Sequence, residues 1–335
     1  MTGQQEQVMA DARAFMKSRV ILTAAELNLF THLDGAATTA TKLAAQLDLD
    51  ARATTRVLDC LAGFHLLKKE DGQYRLTDEG SLYSERHPQS ILPMIRHFNH
   101  LWDLWSKLTS IVQIGMDPET KPGIQMDEEE WTSFIGAMHV VGREVSEKIA
   151  RSYDLSRFRR LLDVGGASGT YTVAFLRKNP QLNAVLFDLE RVIPIARERI
   201  EKEGLLDRVQ LVAGDFYTDE LPSGCDLTLL SAIIHQNNSE ENINLYRKVW
   251  RALEPGGTIL IRDYVMDESR TQPPAGALFD INMLVATRGG TTYTFSQIEQ
   301  SLREVGFEQI TLARAGKGMD SLVQARKPLA DPEAA

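Results

Sequence analysis

The residues best suited to chemistry are spaced along the second half of the chain. Asp163 precedes Gly165, Gly166 and Gly169; Asp188, Asp215 with Phe216, His235 and Asp263 follow. Glycine lets a backbone turn sharply and approach a ligand closely. The helix start behind the turn, from Thr170 to Leu176, offers free N–H groups and a partial positive charge. Asp188 lies about 20 residues past the turn, the separation at which an acid commonly bonds ribose hydroxyls. An acid followed by an aromatic ring, as in Asp215-Phe216, could hold an adenine by accepting from its amino group and packing on its face. His235 ends an apolar run, where a neutral imidazole can take a proton from a phenol or similar hydroxyl. Asp263 follows the next strand and could orient that imidazole and stabilise its charged form. Each has a plainer reading when taken singly. An acid after a strand is often a turn or cap residue, and a histidine there can simply end the strand. Several such residues at successive strand ends favour a shared site.

The glycine pattern excludes two nucleotide-binding motifs. A dinucleotide fingerprint needs Gly-x-Gly-x-x-Gly, but Ala167 and Thr170 occupy its second and third glycine positions. A P-loop needs Lys-Ser or Lys-Thr after the glycines, and neither is present. What remains is the shorter Asp163-x-Gly165-x-x-x-Gly169 form.

The elements that must position these residues begin after Arg160. Expected strands are Leu161–Val164, Ala184–Phe187, Val209–Val212, Leu227–Ala232, Thr258–Ile261, Gln309–Ala313 and Ser321–Ala325. Helices are expected at Thr170–Lys178, Arg191–Glu203, Glu240–Leu253, Gly276–Thr287 and Ser296–Val305. Such alternation predicts a parallel, doubly wound sheet with helices on both faces. Ligands in such sheets bind at the carboxyl ends of the strands.

The first half reads differently. Ala12 to Leu33 has helical spacing of apolar residues, Thr38 to Leu47 reads as a short capped helix, and Asp50 is placed to cap a third. Glu70-Asp71-Gly72 between Leu66–Lys69 and Gln73–Leu76 is a strong hairpin signal. Three helices and a hairpin form a winged-helix pattern, which raises DNA binding. Against it, Arg52 and Arg56 are offset by Asp50 and Asp59, and Lys68 and Lys69 by Glu70 and Asp71, so no basic stripe emerges. A dimerisation and lid domain is preferred. Helices are expected at Ile91–Gln113 and Trp131–Tyr153, joined by a loop from Gly115 to Asp127. They carry His97, His100 and His139 among aromatic residues. No cysteine or carboxylate completes a ligand set, so a polar lining is preferred to a metal site.

Composition sets outer bounds. A chain of 335 residues suggests two domains, and 43% hydrophobic with 25% charged residues is ordinary for a globular protein. The net charge of −9 argues against nucleic-acid binding through phosphate neutralisation. Cys60 and Cys225 show no pairing or metal spacing, and a cytoplasmic location is expected. No signal core and no run long enough to span a bilayer is evident, so no membrane association is expected.

From about residue 15 to 327 the chain resembles the two-domain, class I S-adenosylmethionine-dependent small-molecule O-methyltransferases of plant phenolic, acetylserotonin and bacterial antibiotic pathways. The resemblance rests on Asp163-Val164-Gly165-Gly166 with Gly169, Phe187-Asp188-Leu189, Gly214-Asp215-Phe216, His235, Glu254-Pro255-Gly256-Gly257 and Asp280-Ile281-Asn282-Met283-Leu284. Leu101 to Leu108 is similar to the family's substrate-side helix. The resemblance implies S-adenosyl-L-methionine as cofactor, with Gly165, Asp188, Leu189, Asp215 and Phe216 around it. Asp163, Gly166, Gly169 and Ser231 are expected at the same site. It also implies His235 as general base with Asp263 beside it, and a homodimer formed through the N-terminal domain. Trp102, Met138, His139, Asn282 and Met283 are expected on the acceptor side. No metal is needed. The sequence departs from plant members at Gln236-Asn237, at Ser231 where they carry a lysine, at Asp263 and Thr292 where they carry glutamates, and at Ala167 where they carry glycine.

The expected fold class is therefore α/β: a Rossmann-like doubly wound sheet behind an N-terminal all-helical or winged-helix dimerisation domain. The expected divisions are a winged-helix-like domain at 1–90, helical linker and substrate-side helices at 91–155, the catalytic domain at 156–328 and a frayed tail at 329–335. The expected activity is methylation of a hydroxyl on a small aromatic or polyketide-like molecule in secondary metabolism. Open alternatives are N-methylation, non-methylating chemistry such as hydroxylation or decarboxylation on the same cofactor, and a winged-helix regulator responding to a metabolite.

Overall fold

A computed structural model describes residues 2–116 and 128–329. Most of the expected loop from Gly115 to Asp127, and the tail after Leu329, lie outside the described residues. The chain divides into two compact units: Met1–Asp103 with Asp127–Val140, and Leu104–Met126 with Val141–Ala335.

In the first unit, α1 (Gly3–Glu26) starts well before Ala12. The cause is a capping box at Thr2: its hydroxyl accepts from the Gln5 N–H at 3.4 Å, and Gln5 Oε1 accepts from the Thr2 N–H at 2.9 Å. The helix does not continue to Leu33. Asn28 adopts φ 53°, a left-handed conformation that asparagine tolerates, and α2 (Leu29–His32) begins afresh. Next come β1 (Thr38–Thr39), α3 (Ala40–Leu47) and α4 (Ala51–Gly63). Asp50 caps α4, accepting from the Ala53 N–H at 2.7 Å. β2 (Leu67–Glu70) and β3 (Gln73–Leu76) pair antiparallel, with β1 on the other side of β3. Asp71 and Gly72 both have positive φ (47° and 73°), the conformation a two-residue hairpin loop requires. Leu29, Phe30, Leu43, Leu58, Leu61 and Tyr74 form the buried centre. α5 (Asp78–Ser81) follows. The helix expected from Ile91 to Gln113 is two helices, α6 (Leu92–Trp105) and α7 (Leu108–Ile114), and α7 belongs to the second unit. Nothing in the local sequence marks the break at Ser106-Lys107. α8 is Glu128–Ser152.

The second unit is built on a seven-stranded sheet. In chain order its elements are β4 (Arg160–Val164), α9 (Thr170–Lys178), β5 (Asn183–Asp188), α10 (Ile193–Lys202), β6 (Val209–Ala213), β7 (Cys225–Ser231), α11 (Ser239–Ala252), β8 (Leu253–Asp263), β9 (Val265–Met266), α12 (Pro274–Ala286), β10 (Tyr293–Thr294), α13 (Phe295–Val305), β11 (Glu308–Arg314) and β12 (Ser321–Arg326). The spatial order is β11-β12-β8-β7-β4-β5-β6. The sheet is mixed rather than wholly parallel: β12 runs antiparallel to both β8 and β11. The chain steps outward from β4 to β5 and β6, then returns to β7 on the other side of β4. The order therefore reverses between β4 and β7, the switch point at which such sheets open a ligand crevice. Successive strand residues alternate faces. Leu162, Val185, Leu230 and Ile259 pack with Val249 of α11 and Leu302 of α13. Leu161, Leu186, Leu229 and Leu260 pack on the other face with Phe175 of α9 and Ile200 of α10. Both faces are thus covered, which leaves the strand ends as the place for polar chemistry.

Candidate active site

The turn after β4 is shaped by backbone constraints. Gly165 has φ +68°, and a Cβ there would stand 2.5 Å from Ile233 Cδ1 and 3.9 Å from the Phe216 ring. Residues following β4, β6 and β7 thus converge on one glycine. Ala167 holds φ 49°, a conformation that costs a non-glycine residue about 1 kcal/mol. Its N–H donates to Asp188 Oδ2 at 2.7 Å, which offsets that cost. Asp163, just before the turn, is buried and accepts from the Thr172 hydroxyl at 2.6 Å. Burial, with the negative charge of Asp188 adding to it, pushes its carboxyl up to about 6.

Asp188 ends β5 and is held from both sides: besides Ala167, the Leu189 N–H donates to Oδ1 at 2.7 Å. Burial pushes this carboxyl up to about 6, against those two N–H groups. The carboxylate is fixed in place, with lone pairs left for hydroxyl donors. Past β6, Asp215 Oδ1 accepts from the Tyr217 N–H at 2.9 Å, and its own N–H donates to Asp219 Oδ2 at 2.8 Å. Lys248 of α11 clamps this loop by donating to the carbonyls of Phe216, Tyr217 and Asp219 at 2.9, 3.0 and 2.8 Å. The Tyr217 hydroxyl donates to Asn237 Oδ1 at 2.6 Å, tying the loop to the segment that carries His235. Lys248 and Tyr217 have no sequence signal, because their partners, three backbone carbonyls and the Asn237 side chain, are distant in the chain.

His235 lies on a single 3-10 turn, Ile234–Gln236, after the left-handed Ala232. Its Nδ1 is 2.9 Å from both Asp263 oxygens, with both side chains buried. An ionised carboxylate only accepts, so Nδ1 carries the proton and Nε2 offers its lone pair. Asp263 is steadied by the Tyr264 N–H at 2.8 Å. The Phe279 ring meets the imidazole edge-on, with centroids 4.8 Å apart. This is the arrangement of a base with an orienting acid. Thr292 is buried, its Oγ1 has no partner among the described residues, and its N–H donates to Asp280 Oδ1 at 2.8 Å.

Asn282 and Met283 lie on α12, where Asn282 Oδ1 accepts from the Trp105 indole at 2.9 Å and Met283 is buried. Trp102 lies on α6 beneath the Arg19 guanidinium, 5.4 Å from the ring centroid, and Met138 and His139 lie on α8 in the first unit. His97 packs edge-on against Phe134, and burial lowers its pKa to about 4, so it is neutral at ordinary pH. Among the described residues, no three His, Cys, Asp or Glu side chains gather as a metal site. No described helix is long and apolar enough to cross a membrane.

Comparison with known proteins bears on this geometry. Residues 115–308 match the O-methyltransferase domain family, and residues 9–86 match the O-methyltransferase dimerisation domain family. The chain is 29% identical to the tetracenomycin polyketide synthesis 8-O-methyl transferase of Streptomyces glaucescens, over 94% of both chains. It is 30% identical to the 3-hydroxy-5-methyl-1-naphthoate 3-O-methyltransferase of Streptomyces sahachiroi, over 93% of this chain and 92% of that one. The fold is also that of human N-acetylserotonin methyltransferase in complex with SAM (TM-score 0.84, 24% identity, covering 98% and 99% of the two chains).

Proposed function

The chain belongs to the O-methyltransferase family, uses S-adenosylmethionine as cofactor, and on that premise we propose that it methylates a hydroxyl on a fused aromatic or polyketide-like molecule with His235 as general base. The observation that carries the proposal is the buried His235–Asp263 pair, with Nδ1 2.9 Å from both carboxylate oxygens at the end of β7. The strand ends beside it fit an adenosyl amino acid: a close-approach turn at Gly165 and Gly169, the fixed Asp188 for ribose hydroxyls, and Asp215 with Phe216 for the adenine. Leu189, Gly166, Asp163 and Ser231 complete that cradle.

The cofactor supplies a methyl already activated on a sulfonium. The protein's own work is therefore to align an in-line displacement, exclude water and remove one proton. Nε2 of His235 takes the acceptor's hydroxyl proton, and Asp263 stabilises the imidazolium that results. Asn282 and Met283 of α12 would hold the acceptor. The names of the two Streptomyces relatives describe O-methylation in tetracenomycin polyketide synthesis and of a hydroxynaphthoate, and the same acceptor class is proposed here. The dimerisation domain match supports a homodimer.

The test is mass spectrometry of products from hydroxynaphthoate-type and polyketide phenol acceptors. The expected product gains one CH2 unit, and a matched aryl amine remains unchanged. Methylation of the amine alone, or a product with gained oxygen or lost carbon dioxide, would overturn the assignment.

A further inference from the structure

Arg262 is a charge in the wrong place for a structural residue. It stands on β8 directly after the apolar run Ile259-Leu260-Ile261, on the sheet face that buries Leu260, and is only 6% exposed. Its Nε is fully buried and has no hydrogen-bond partner among the described residues. Among the described residues the guanidinium forms no ion pair. Its one hydrogen bond among the described residues is a long one, from Nη1 to Ser231 Oγ at 3.4 Å. Below it lies the Tyr171 ring, 5.3 Å from the guanidinium carbon. Asp320 influences the same region, but it already pairs with Arg314 at 2.8 Å and Lys148 at 3.8 Å. A buried cation with no counter-charge costs several kcal/mol, and proteins seldom keep one without a purpose.

Its location supplies the purpose. Arg262 pairs in register with Ser231, the last residue of β7. Tyr171 is in the first turn of α9, immediately behind the Gly165–Gly169 turn. The guanidinium thus lies between the two elements that flank the end of β4, at the switch point. Two hydroxyls join it there: Ser231 Oγ, and that of Tyr171, which is buried without a hydrogen bond of normal geometry. A planar donor fork backed by two hydroxyls suits a carboxylate.

We propose that Arg262 receives the α-carboxylate of the cofactor's amino-acid moiety, with Ser231 and Tyr171 completing the receptor. The inference rests on S-adenosylmethionine being the cofactor. Arg262 would complete its missing ion pair only on binding. The site would then discriminate strongly for the amino-acid end of the ligand.

The experiment is calorimetric titration of the full chain with S-adenosylmethionine and with decarboxylated S-adenosylmethionine, which lacks only the carboxylate. Wild type should prefer the intact form by about 30-fold or more, the loss expected when one partner of a buried charge pair is removed. Arg262→Met should lose most of that preference by weakening the intact ligand alone. Arg262→Lys, which keeps the charge without the fork, should fall between. Should the Met variant not fold, the wild-type preference and the Lys variant still decide. Equal affinity of wild type for both ligands, or equal weakening of both by either variant, overturns the inference. Failure of wild type to bind either ligand would instead overturn the cofactor assignment.

Discussion

Replacing Asp263 by Asn isolates the charge of the His235–Asp263 pair from its shape. The carboxylate oxygens are 2.9 Å from His235 Nδ1, and both side chains are buried. With charge centres about 4 Å apart and an effective dielectric near 20, a carboxylate stabilises an imidazolium by about 4 kcal/mol. That stabilisation grows as the proton moves to Nε2, so it acts on the transition state rather than on acceptor binding. The amide can also turn its NH2 toward Nδ1, which would put the ring proton on Nε2 and remove the free lone pair. Both effects act in one direction. Asp263→Asn should lower kcat by about 10³-fold, at about 1.4 kcal/mol per decade. Affinity for S-adenosylmethionine should stay within about 2-fold, since Asp188 and the glycine turn do not touch the pair. The assay is single-turnover methyl transfer with saturating cofactor, alongside calorimetry for cofactor binding. A rate loss under about 10-fold would refute the role assigned to the carboxylate.

Two further outcomes follow from the cradle. Asp163 has its carboxyl raised from 3.8 to about 6 by burial. Between those values the folded chain keeps a proton that the unfolded chain has released, so the contribution of Asp163 to stability falls as pH rises through that window and the deficit is complete above it. Asp163→Asn, whose carbonyl can still accept from Thr172, should therefore melt higher than wild type at pH 7.5, with the two curves converging toward pH 4; melting curves that stay parallel across pH would contradict this. Gly165→Ala places a methyl in a left-handed conformation and 2.5 Å from Ile233. It should weaken cofactor binding by about 10-fold or more, at a cost of at least about 1–2 kcal/mol, while calorimetry showing unchanged affinity would remove Gly165 from the cradle.

The sequence carried the strand ends well, because a parallel strand buried on both faces is a nearly continuous apolar run and any polar residue closing it stands out. Asp188, Asp215, His235 and Asp263 were all visible that way. The pairing of His235 with Asp263 was inferable only as adjacent strand ends, since 28 residues separate them in the chain. The antiparallel course of β12 left no signal beyond a short connection after β11. The breaks at Asn28 and Ser106-Lys107 escaped because apolar spacing carries on across them, and periodicity does not register the single left-handed residue at Asn28. Lys248 was illegible for another reason: its partners are three backbone carbonyls after β6, set by tertiary packing alone. Arg262 did carry a signal, a charge directly after an apolar strand run, but its burial and lack of a counter-charge emerge only from the structure.

In the proposed mechanism His235 removes a hydroxyl proton while the cofactor is held elsewhere. The most direct measurement compares wild type with His235→Ala for transfer of labelled methyl from S-adenosylmethionine to the same phenolic acceptor, with cofactor affinity measured on the same samples. Wild type should give a labelled product one CH2 unit heavier, and the variant a rate lower by about 10²–10⁴-fold with equal cofactor affinity. A variant that turns over at the wild-type rate would contradict this mechanism.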